Sequence, residues 1–188
     1  LARIEGESIR MGSLVEDLLL LARLDQAREM EVLPVDITEA TREAVASARV
    51  ASPSHPISLS DDVGEIYILG DKNRIHQVVA NLLANARTHT PDGTKIIVSI
   101  ERSDDGVRIS VSDNGPGLSE DDQKRIFERF YRADSSRVRV DGEGSGLGLS
   151  IVDAVMQAHG GNVSVSSELG KGATFILFFP QAPESVTD

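Results

Sequence analysis

A row of polar side chains recurs at helical spacing between positions 71 and 90. Its members are Arg74, Gln77, Asn81, Asn85 and Thr88. Residues three or four positions apart lie on one face of an α-helix, and amides are mediocre helix formers. A lone asparagine at such a place is most often a hydrogen-bonded core residue. Two asparagines one turn apart, followed by Arg87 and His89, instead indicate a stripe that faces a polar ligand.

The same stretch also carries an apolar face that is broad enough to be mostly buried. This face consists of Ile75, Val78, Val79, Leu82, Leu83 and Ala86. The sequence therefore predicts a core helix whose polar stripe needs partners. The turn-forming segment from Thr90 to Gly93 is expected to end it.

Four segments rich in glycine or phenylalanine follow this helix. They are Asp113-Asn-Gly-Pro-Gly117, Phe127-Glu-Arg-Phe130, Gly144-Ser-Gly-Leu-Gly148 and Gly170-Lys-Gly172-Ala-Thr174. In this order and at this spacing, together with the asparagine helix, they resemble the N, G1, F, G2 and G3 boxes of sensor histidine kinases. One box alone is a weak signal, but five in order extend over nearly the whole chain and leave little room for coincidence.

This resemblance implies a Bergerat-type domain that binds ATP and Mg²⁺ and transfers the γ-phosphoryl group to a histidine. The implied final acceptor is an aspartate of a response regulator. The implied catalytic residues are Asn81 and Asn85. The implied nucleotide-binding residues are Asn81, Asn85, Arg87, His89, Asp113, Gly115, Gly117, Phe127, Phe130, Tyr131, Arg132, Gly144, Gly146, Leu147, Gly148, Leu149 and Thr174.

The two asparagines have different expected roles. Asn85 is the predicted Mg²⁺ ligand, because an amide oxygen suits a hard cation that keeps several waters and the phosphates as partners. In relatives that hydrolyse ATP, such as the gyrase, mismatch-repair and heat-shock chaperone ATPases, the position matching Asn81 is a glutamate that activates water. An amide cannot act as a general base. The sequence therefore favours phosphoryl transfer to a side chain over hydrolysis.

Asp113 ends a predicted strand, so its carboxylate is expected at the edge of the sheet, where the following glycines let the backbone approach a flat ring. A carboxylate accepts from the exocyclic amine of adenine, whereas guanine has a carbonyl at the corresponding position. The alternative is an ordinary strand-to-loop turn, since Asp-Asn-Gly and Pro-Gly sequences also form turns.

The glycines from Gly144 to Gly148 precede a predicted helix, whose first amides and dipole attract phosphate. A dinucleotide-binding fingerprint is disfavoured, because no predicted strand leads into Gly144 and Glu168 falls in a turn. A protein-kinase glycine loop is disfavoured because no HRD or DFG motif follows it.

The segment between positions 131 and 143 has few apolar residues and is predicted to be a mobile lid over the nucleotide. Phe127 and Phe130 are expected either to anchor this lid or to be two core aromatics at helical spacing. Between positions 123 and 139, six basic residues face only two acidic ones. This basic island suits a polyphosphate, although each of its charges is equally consistent with a solvated surface residue.

The first 29 residues follow a heptad pattern. Ile4, Met11 and Leu18 fall seven apart, and Leu14 and Leu21 fill the interleaved positions. The pattern predicts one long helix whose seam serves dimerisation or packing against another helix. A core helix of the same domain is the alternative. By resemblance, this is the second helix of a dimerisation domain.

The resemblance places the phosphoacceptor histidine in an H-E/D-x-x-x-P setting on a preceding helix. His55, His76, His89 and His159 all lack that setting. The chain starts at Leu1 rather than at methionine, so it is expected to be a piece of a longer protein. That protein is expected to be a homodimeric bacterial inner-membrane sensor with this part in the cytoplasm.

The periodicities predict an α/β two-layer sandwich in which helices stack on one face of a mixed sheet, preceded by the long dimerisation-type helix. Short strands are predicted at Ile57–Leu59 and Tyr67–Leu69, flanking a polar turn that contains Gly64. The predicted domains are a partial dimerisation domain at 1–29, a linker at 30–35, an ATP-binding domain at 36–180 and a flexible tail at 181–188.

Composition narrows the remaining possibilities. A net charge of −11 disfavours general nucleic-acid binding, which needs a basic footprint. The chain has no cysteine for disulfides or metal sites, and no apolar run approaches the ~20 residues of a membrane span. Two alternatives stay open: a serine kinase of the anti-sigma type, which the heptad helix disfavours, and a non-catalytic nucleotide-binding or dimerisation module.

Overall fold

A computed structural model describes residues 2–25, 30–133 and 145–181. Within these ranges the chain forms five helices and seven strands. The helices are α1 (Ala2–Asp25), α2 (Ile37–Ala51), α3 (Lys72–His89), α4 (Glu120–Arg125) and α5 (Gly148–Ala158). The strands are β1 (Leu33–Asp36), β2 (Ile57–Ser60), β3 (Tyr67–Gly70), β4 (Ile96–Ser103), β5 (Gly106–Asp113), β6 (Asn162–Glu168) and β7 (Gly172–Pro180).

Five strands form one mixed sheet in the order β2-β4-β5-β7-β6. The pair β2–β4 is parallel, and the other pairs are antiparallel. Burial alternates along β5 and β7, because successive side chains of a strand point to opposite faces. Helices α3 and α5 pack against each other and against the buried face. The predicted α/β two-layer sandwich is confirmed.

The remaining strands, β1 and β3, form a separate two-stranded antiparallel ribbon. Both short strands predicted on either side of Gly64 are present as β2 and β3, but they belong to different sheets, since β2 joins β4 and β3 joins β1. β1 also lies largely in the stretch predicted to be a linker. Val35 pairs with Ile68, and both side chains are buried, which explains why this short strand forms. Pro34 concealed it, because proline is rare inside strands.

Helix α3 is bounded and buried as its sequence predicts. The carboxylate of Asp71 accepts from the backbone N–H groups of Asn73 at 2.9 Å and Arg74 at 3.2 Å, which caps the first turn. The apolar face is at most 4% exposed at every position. A hydrogen bond of 3.1 Å from the Asp71 backbone N–H to Nε2 of His159 ties this end of α3 to the end of α5.

Helix α1 packs on α5 through its C-terminal half. Leu20 and Leu21 are buried, whereas Met11 is 65% and Leu18 is 38% exposed. Of the residues in the predicted seam, Leu21 is therefore buried against the domain, whereas Met11 and Leu18 are exposed to solvent. Among the described residues, no helix combines the length and apolar character that crossing a membrane requires.

The loop after β5 and the turn between β6 and β7 interlock through two glycines. A Cβ on Gly172 would lie 1.9 Å from the carbonyl oxygen of Asp113, and one on Gly117 would lie 2.2 Å from that of Glu168. Both glycines have positive φ, at 93° and 72°. The backbone N–H of Gly170 donates to the carbonyl of Pro116 at 2.7 Å. These glycines therefore serve the contact between the two protein segments.

We expect Gly172→Ala to lower the free energy of unfolding by about 3 kcal/mol or more, because the added methyl group meets backbone and φ is strained. Gly170→Ala is the matched control. Gly170 has a φ of 80°, but a methyl group added there would meet no described atom within 4 Å, so only the strain of about 1–2 kcal/mol applies. Urea unfolding measures both values. Equal losses in the two variants would contradict the interlock.

Candidate functional site

A cavity of about 560 Å³ opens between α3, α5, the end of β5 and the chain before α5. This volume is typical of small-molecule sites. Ten of the predicted residues line it: Asn81, Asn85, His89, Asp113, Gly117, Tyr131, Arg132, Gly146, Gly148 and Leu149. Thr88 of the predicted polar stripe also lines it. The other lining residues were not predicted, and they are Asp17, Ala84, Ala86, Thr90, Pro116, Leu118, Ile126, Ala133, Ser145, Ala173 and Phe175.

The two asparagines of α3 reach the cavity from its helical wall. The Asn81 amide nitrogen donates to the carbonyl of Gly148 at 3.2 Å, which joins α3 to the start of α5. No described residue donates to the Asn81 side-chain oxygen. The Asn85 side chain has no hydrogen-bond partner within the described ranges and is partly exposed in the cavity lining. The site thus offers two amide oxygens one turn apart, a donor set that fits a hard cation such as Mg²⁺.

Asp113 lines the cavity beside Gly115, which packs against both Asp113 and Thr90. Its Oδ1 accepts from the backbone N–H of Gly115 at 2.8 Å. Burial raises the pKa of the carboxyl, while hydrogen bonds from the backbone of Gly115 and Ala173 act in the opposite direction. A desolvated carboxylate with remaining acceptor capacity is suited to bind a donor such as an amine.

His89 and Arg132 meet in the cavity wall. Burial lowers the pKa of His89, and the positive charge of Arg132 lowers it further. Both effects favour the neutral imidazole of His89 over the cation. Within the described part of the chain, Arg132 is the one Lys or Arg that lines the cavity.

Part of the basic island is neutralised away from the cavity. Arg125 pairs with Glu128 at 3.2 Å, and its guanidinium lies 4.4 Å from the ring centroid of Tyr131. The Tyr131 hydroxyl donates to Asp122 at 2.8 Å. These contacts fix the Tyr131 ring at the cavity mouth. Among the described members of the island, Arg132 is therefore the one placed to meet a polyphosphate in the cavity.

The structure moves two predicted residues out of the cavity. Thr174 lies on the other face of the sheet, where its hydroxyl contacts that of Ser112 at 2.9 Å, and Ala173 lines the cavity instead. Neighbouring residues of a strand point to opposite faces of the sheet, which is why Ala173 and Thr174 face different sides. Arg87 is exposed on α3 and lies outside the cavity lining.

Four other predicted residues surround the cavity without lining it: Gly115, Phe127, Phe130 and Leu147. Leu147 is fully buried beneath it. The Phe127 ring packs edge-on against Phe175, with centroids 6.4 Å apart, which favours the core interpretation. Gly115 packs next to Asp113.

Phe130 and Gly146 join the two ends of the predicted lid. The backbone N–H of Phe130 donates to the carbonyl of Gly146 at 3.0 Å. Phe130 is 58% exposed and has a φ of 63°, a strained conformation for a bulky residue. Positions 134–143 of the predicted lid, together with Gly144, lie outside the described residues.

Asp17 brings a carboxylate from α1 into the cavity wall. Burial raises its pKa, and the adjacent charge of Glu16 raises it further. Asp17 precedes Leu20 and Leu21 by three and four positions, so it shares their buried face. The spacing of Asp17 from Leu20 and Leu21 could have placed it on the buried face of α1. The sequence alone did not show that this face would pack against the nucleotide-binding domain.

Comparisons with known proteins agree with this geometry. The family model for the histidine kinase-, DNA gyrase B- and HSP90-like ATPase matches residues 70–183. The probable sensor histidine kinase TcrY of Mycobacterium tuberculosis is 47% identical over 170 residues, which are 90% of this chain and 36% of TcrY.

Two solved structures share the fold. Full-length ShkA in complex with AMPPNP has a TM-score of 0.77 and 34% identity, covering 96% of this chain and 38% of ShkA. The mycobacterial sensor histidine kinase MprB has a TM-score of 0.69 and 27% identity, covering 81% of this chain and 99% of the MprB chain. The present chain thus spans little more than a third of TcrY and ShkA.

The raised pKa of Asp113 predicts how its removal changes stability. A carboxyl with a folded-state pKa above its unfolded value stabilises the fold fully at pH values below the unfolded pKa, and this contribution is lost as the pH rises through the folded pKa. We therefore expect Asp113→Asn to raise the free energy of unfolding at pH 7 by less than about 1 kcal/mol, because solvent screens a partly exposed carboxylate. The gain should shrink as the pH falls towards 4.

Urea unfolding between pH 4 and pH 7 measures this difference. Asp104→Asn makes the same change at an exposed hairpin position and is the matched control. If Asp113→Asn is instead less stable than the parent at pH 7, the prediction is wrong. The contacts of the ionised carboxylate would then outweigh its cost of desolvation.

Proposed function

This chain belongs to the histidine kinase-, DNA gyrase B- and HSP90-like ATPase family, and from that premise we propose that it is the ATP-binding, phosphoryl-donating part of a two-component sensor histidine kinase. The observation that carries the proposal is the division of one cavity into two ends. Asp113 lies near Thr90 at the C-terminal end of α3, because Gly115 packs against both residues. Asn81 lies nine residues before Thr90, beside Gly148 at the start of α5, so about 13 Å of helix separates the two ends. A nucleotide needs this separation, because its base and its phosphates require opposite chemistry.

The base end is suited to adenine. The Asp113 carboxylate can accept from an exocyclic amine, and the apolar side chains around it leave little competition from water. Ala173 and Leu118 are part of this surface. Guanine would place a carbonyl oxygen towards the carboxylate, which repels it. The end of the cavity at Asp113 thus selects ATP over GTP.

The phosphate end is suited to anions. Helix α5 starts at Gly148, and none of the described side chains caps it, so the N–H groups of its first turn remain available beside the cavity. The guanidinium of Arg132 adds a positive charge. When bound, Mg²⁺ would neutralise charge on the phosphates, and the oxygens of Asn85 and Asn81 would hold it. The AMPPNP bound in ShkA supports the assignment of a nucleoside triphosphate.

Transfer is favoured over hydrolysis because the helical wall holds no carboxylate at position 81. The Asn81 amide already donates to Gly148, and an amide cannot remove a proton from water. A neutral imidazole needs no such base, since it is a nucleophile near neutral pH. The protein's contribution is then to hold the γ-phosphoryl group in line with that nucleophile and to exclude water.

The partners follow from the same role. The acceptor is a histidine of a neighbouring helix, and a response-regulator aspartate receives the phosphoryl group afterwards. The open part of the α1 seam, with Met11 and Leu18 exposed, supports a homodimer in the longer protein. A position on the cytoplasmic side of a bacterial inner membrane is part of the same proposal, which starts from the similarity to the sensor histidine kinases TcrY and MprB.

We expect Asn85→Ala to reduce Mg²⁺-dependent ATP affinity by about 10- to 100-fold, because one ligand is lost from a site with few protein ligands. Asn73→Ala, on the exposed side of the same helix, is the matched control and should bind normally. Calorimetry with and without Mg²⁺ gives both affinities. A folded Asn85→Ala protein with unchanged Mg²⁺ dependence would make this amide a structural residue.

The 188-residue chain should bind ATP and Mg²⁺ without phosphorylating itself, since none of its four histidines has the acceptor setting. Adding a dimerisation helix that carries such a histidine should restore transfer. Labelled ATP reports the incorporation, and acid treatment identifies phosphohistidine by its lability. Acid-labile label on the chain alone, mapped to one of its own histidines, would overturn the assignment of the acceptor.

A further inference from the structure

We propose that His55 is a positioning residue for the base end of the cavity, where it sets adenine selectivity through Thr90. The proposal rests on the nucleotide-binding function given above. His55 lies in the loop between α2 and β2, outside the residues that the family model matches, and is 4% exposed. His55 is not one of the described residues that line the cavity. It reaches the nucleotide site through the side chain of Thr90, which does line the cavity.

Hydrogen-bond counting gives the direction of the contact between these residues. The Thr90 hydroxyl lies 2.7 Å from the backbone carbonyl of Ala86, which can only accept, so the one hydroxyl proton is used there. The contact of 3.2 Å between Thr90 Oγ1 and His55 Nε2 must then be a donation from the imidazole N–H. In the neutral ring, Nδ1 is left to accept from the Ser54 hydroxyl at 3.2 Å.

The Thr90 side chain is therefore held from two sides. Its hydroxyl donates to the last turn of α3 and accepts from His55. The rotamer that satisfies both contacts also fixes the position of the Thr90 methyl group. Without the imidazole donor, the oxygen keeps only its bond to Ala86, and the second contact that defines the rotamer is lost.

The methyl group of Thr90 transmits this position to Asp113. Gly115 fits between them so closely that a Cβ on it would lie 2.6 Å from Thr90 Cγ2 and 2.8 Å from Asp113 Oδ1. The backbone N–H of Gly115 in turn donates to that Oδ1 at 2.8 Å. A shift of Thr90 therefore moves the amide that orients the carboxylate. Orientation of this carboxylate is what distinguishes an amine from a carbonyl on the base.

A purely structural role for His55 is the competing explanation. The same loop is bound to the chain after α3, because the backbone N–H of Gly93 donates to the carbonyl of Ser54 at 2.9 Å. Loss of His55 could therefore lower stability without any specific effect on the base. The experiment must separate the two outcomes through the choice of ligand.

The test compares His55→Phe, which keeps a ring but removes the donor, with His55→Gln, which keeps an N–H donor. ATP, GTP and base-free tripolyphosphate, each with Mg²⁺, compete against a fluorescent ATP analogue. We expect His55→Phe to lower both ATP affinity and the preference for ATP over GTP by about five- to tenfold. Tripolyphosphate affinity should stay unchanged, and His55→Gln should recover most of the preference.

A double-mutant cycle with Thr90→Val identifies the route. If His55 acts through the Thr90 hydroxyl, the double variant should be no less selective than either single one. Additive losses, equal losses for ATP and tripolyphosphate, or unchanged selectivity in folded His55→Phe would each overturn the proposal. Should His55→Phe not fold, His55→Asn, whose amide is too short to reach Thr90, takes its place in the cycle.

The parent protein separates this proposal from the one on which it rests. Failure of the parent to bind ATP, or to prefer it over GTP, would reject the proposed function. Normal selectivity in the parent together with normal selectivity in the His55 variants would reject only the role of His55. Asp113→Asn in the same assay sets the scale of complete loss of base discrimination.

Discussion

The buried apolar face of α3 is the constraint on which the site depends. Its six residues are at most 4% exposed, so the helix cannot turn about its axis without exposing them. Because each residue advances the helix by about 100°, fixing one face fixes every other direction. Asn81 and Asn85 are therefore held towards the cavity by a face that is packed into the core. The hydrogen bonds at Asp71 and His159 fix the same helix along its length.

The base end is built on a different principle, in which stability and binding oppose each other. Asp113 is desolvated, and its ionised form is costly in the absence of a ligand. The paired backbone of β5 and β7 nevertheless fixes it opposite Ala173. A ligand amine would recover part of that cost. The sheet thus holds a desolvated carboxylate where the amine of a nucleobase can bind it. The helical wall, by contrast, supplies the neutral amide oxygens of Asn81 and Asn85 as ligands for a cation.

Sequence periodicity predicted the elements that bury a continuous pattern, such as α3 and β5, because a repeating apolar face has few alternatives. It failed where the outcome depends on one residue or on distant contacts. The resemblance, rather than periodicity, supplied Thr174 as a site residue, and its neighbour Ala173 lines the cavity. β1 was missed because four residues with Pro34 carry little pattern. Asp17 and the Thr90–His55 contact needed the tertiary arrangement itself.

The interlocked glycines have a consequence for recombination between related proteins. Gly117 and Gly172 each occupy space that the other segment's backbone leaves open, so the two loops have one shared shape. A chimera that takes the loop after β5 from one parent and the β6–β7 turn from another would combine two backbone segments whose shapes are not complementary. A crossover point between positions 117 and 170 therefore separates the loop after β5 from the β6–β7 turn, although the two segments need to come from the same parent. Exchanges that transfer both segments together preserve the backbone contact between them.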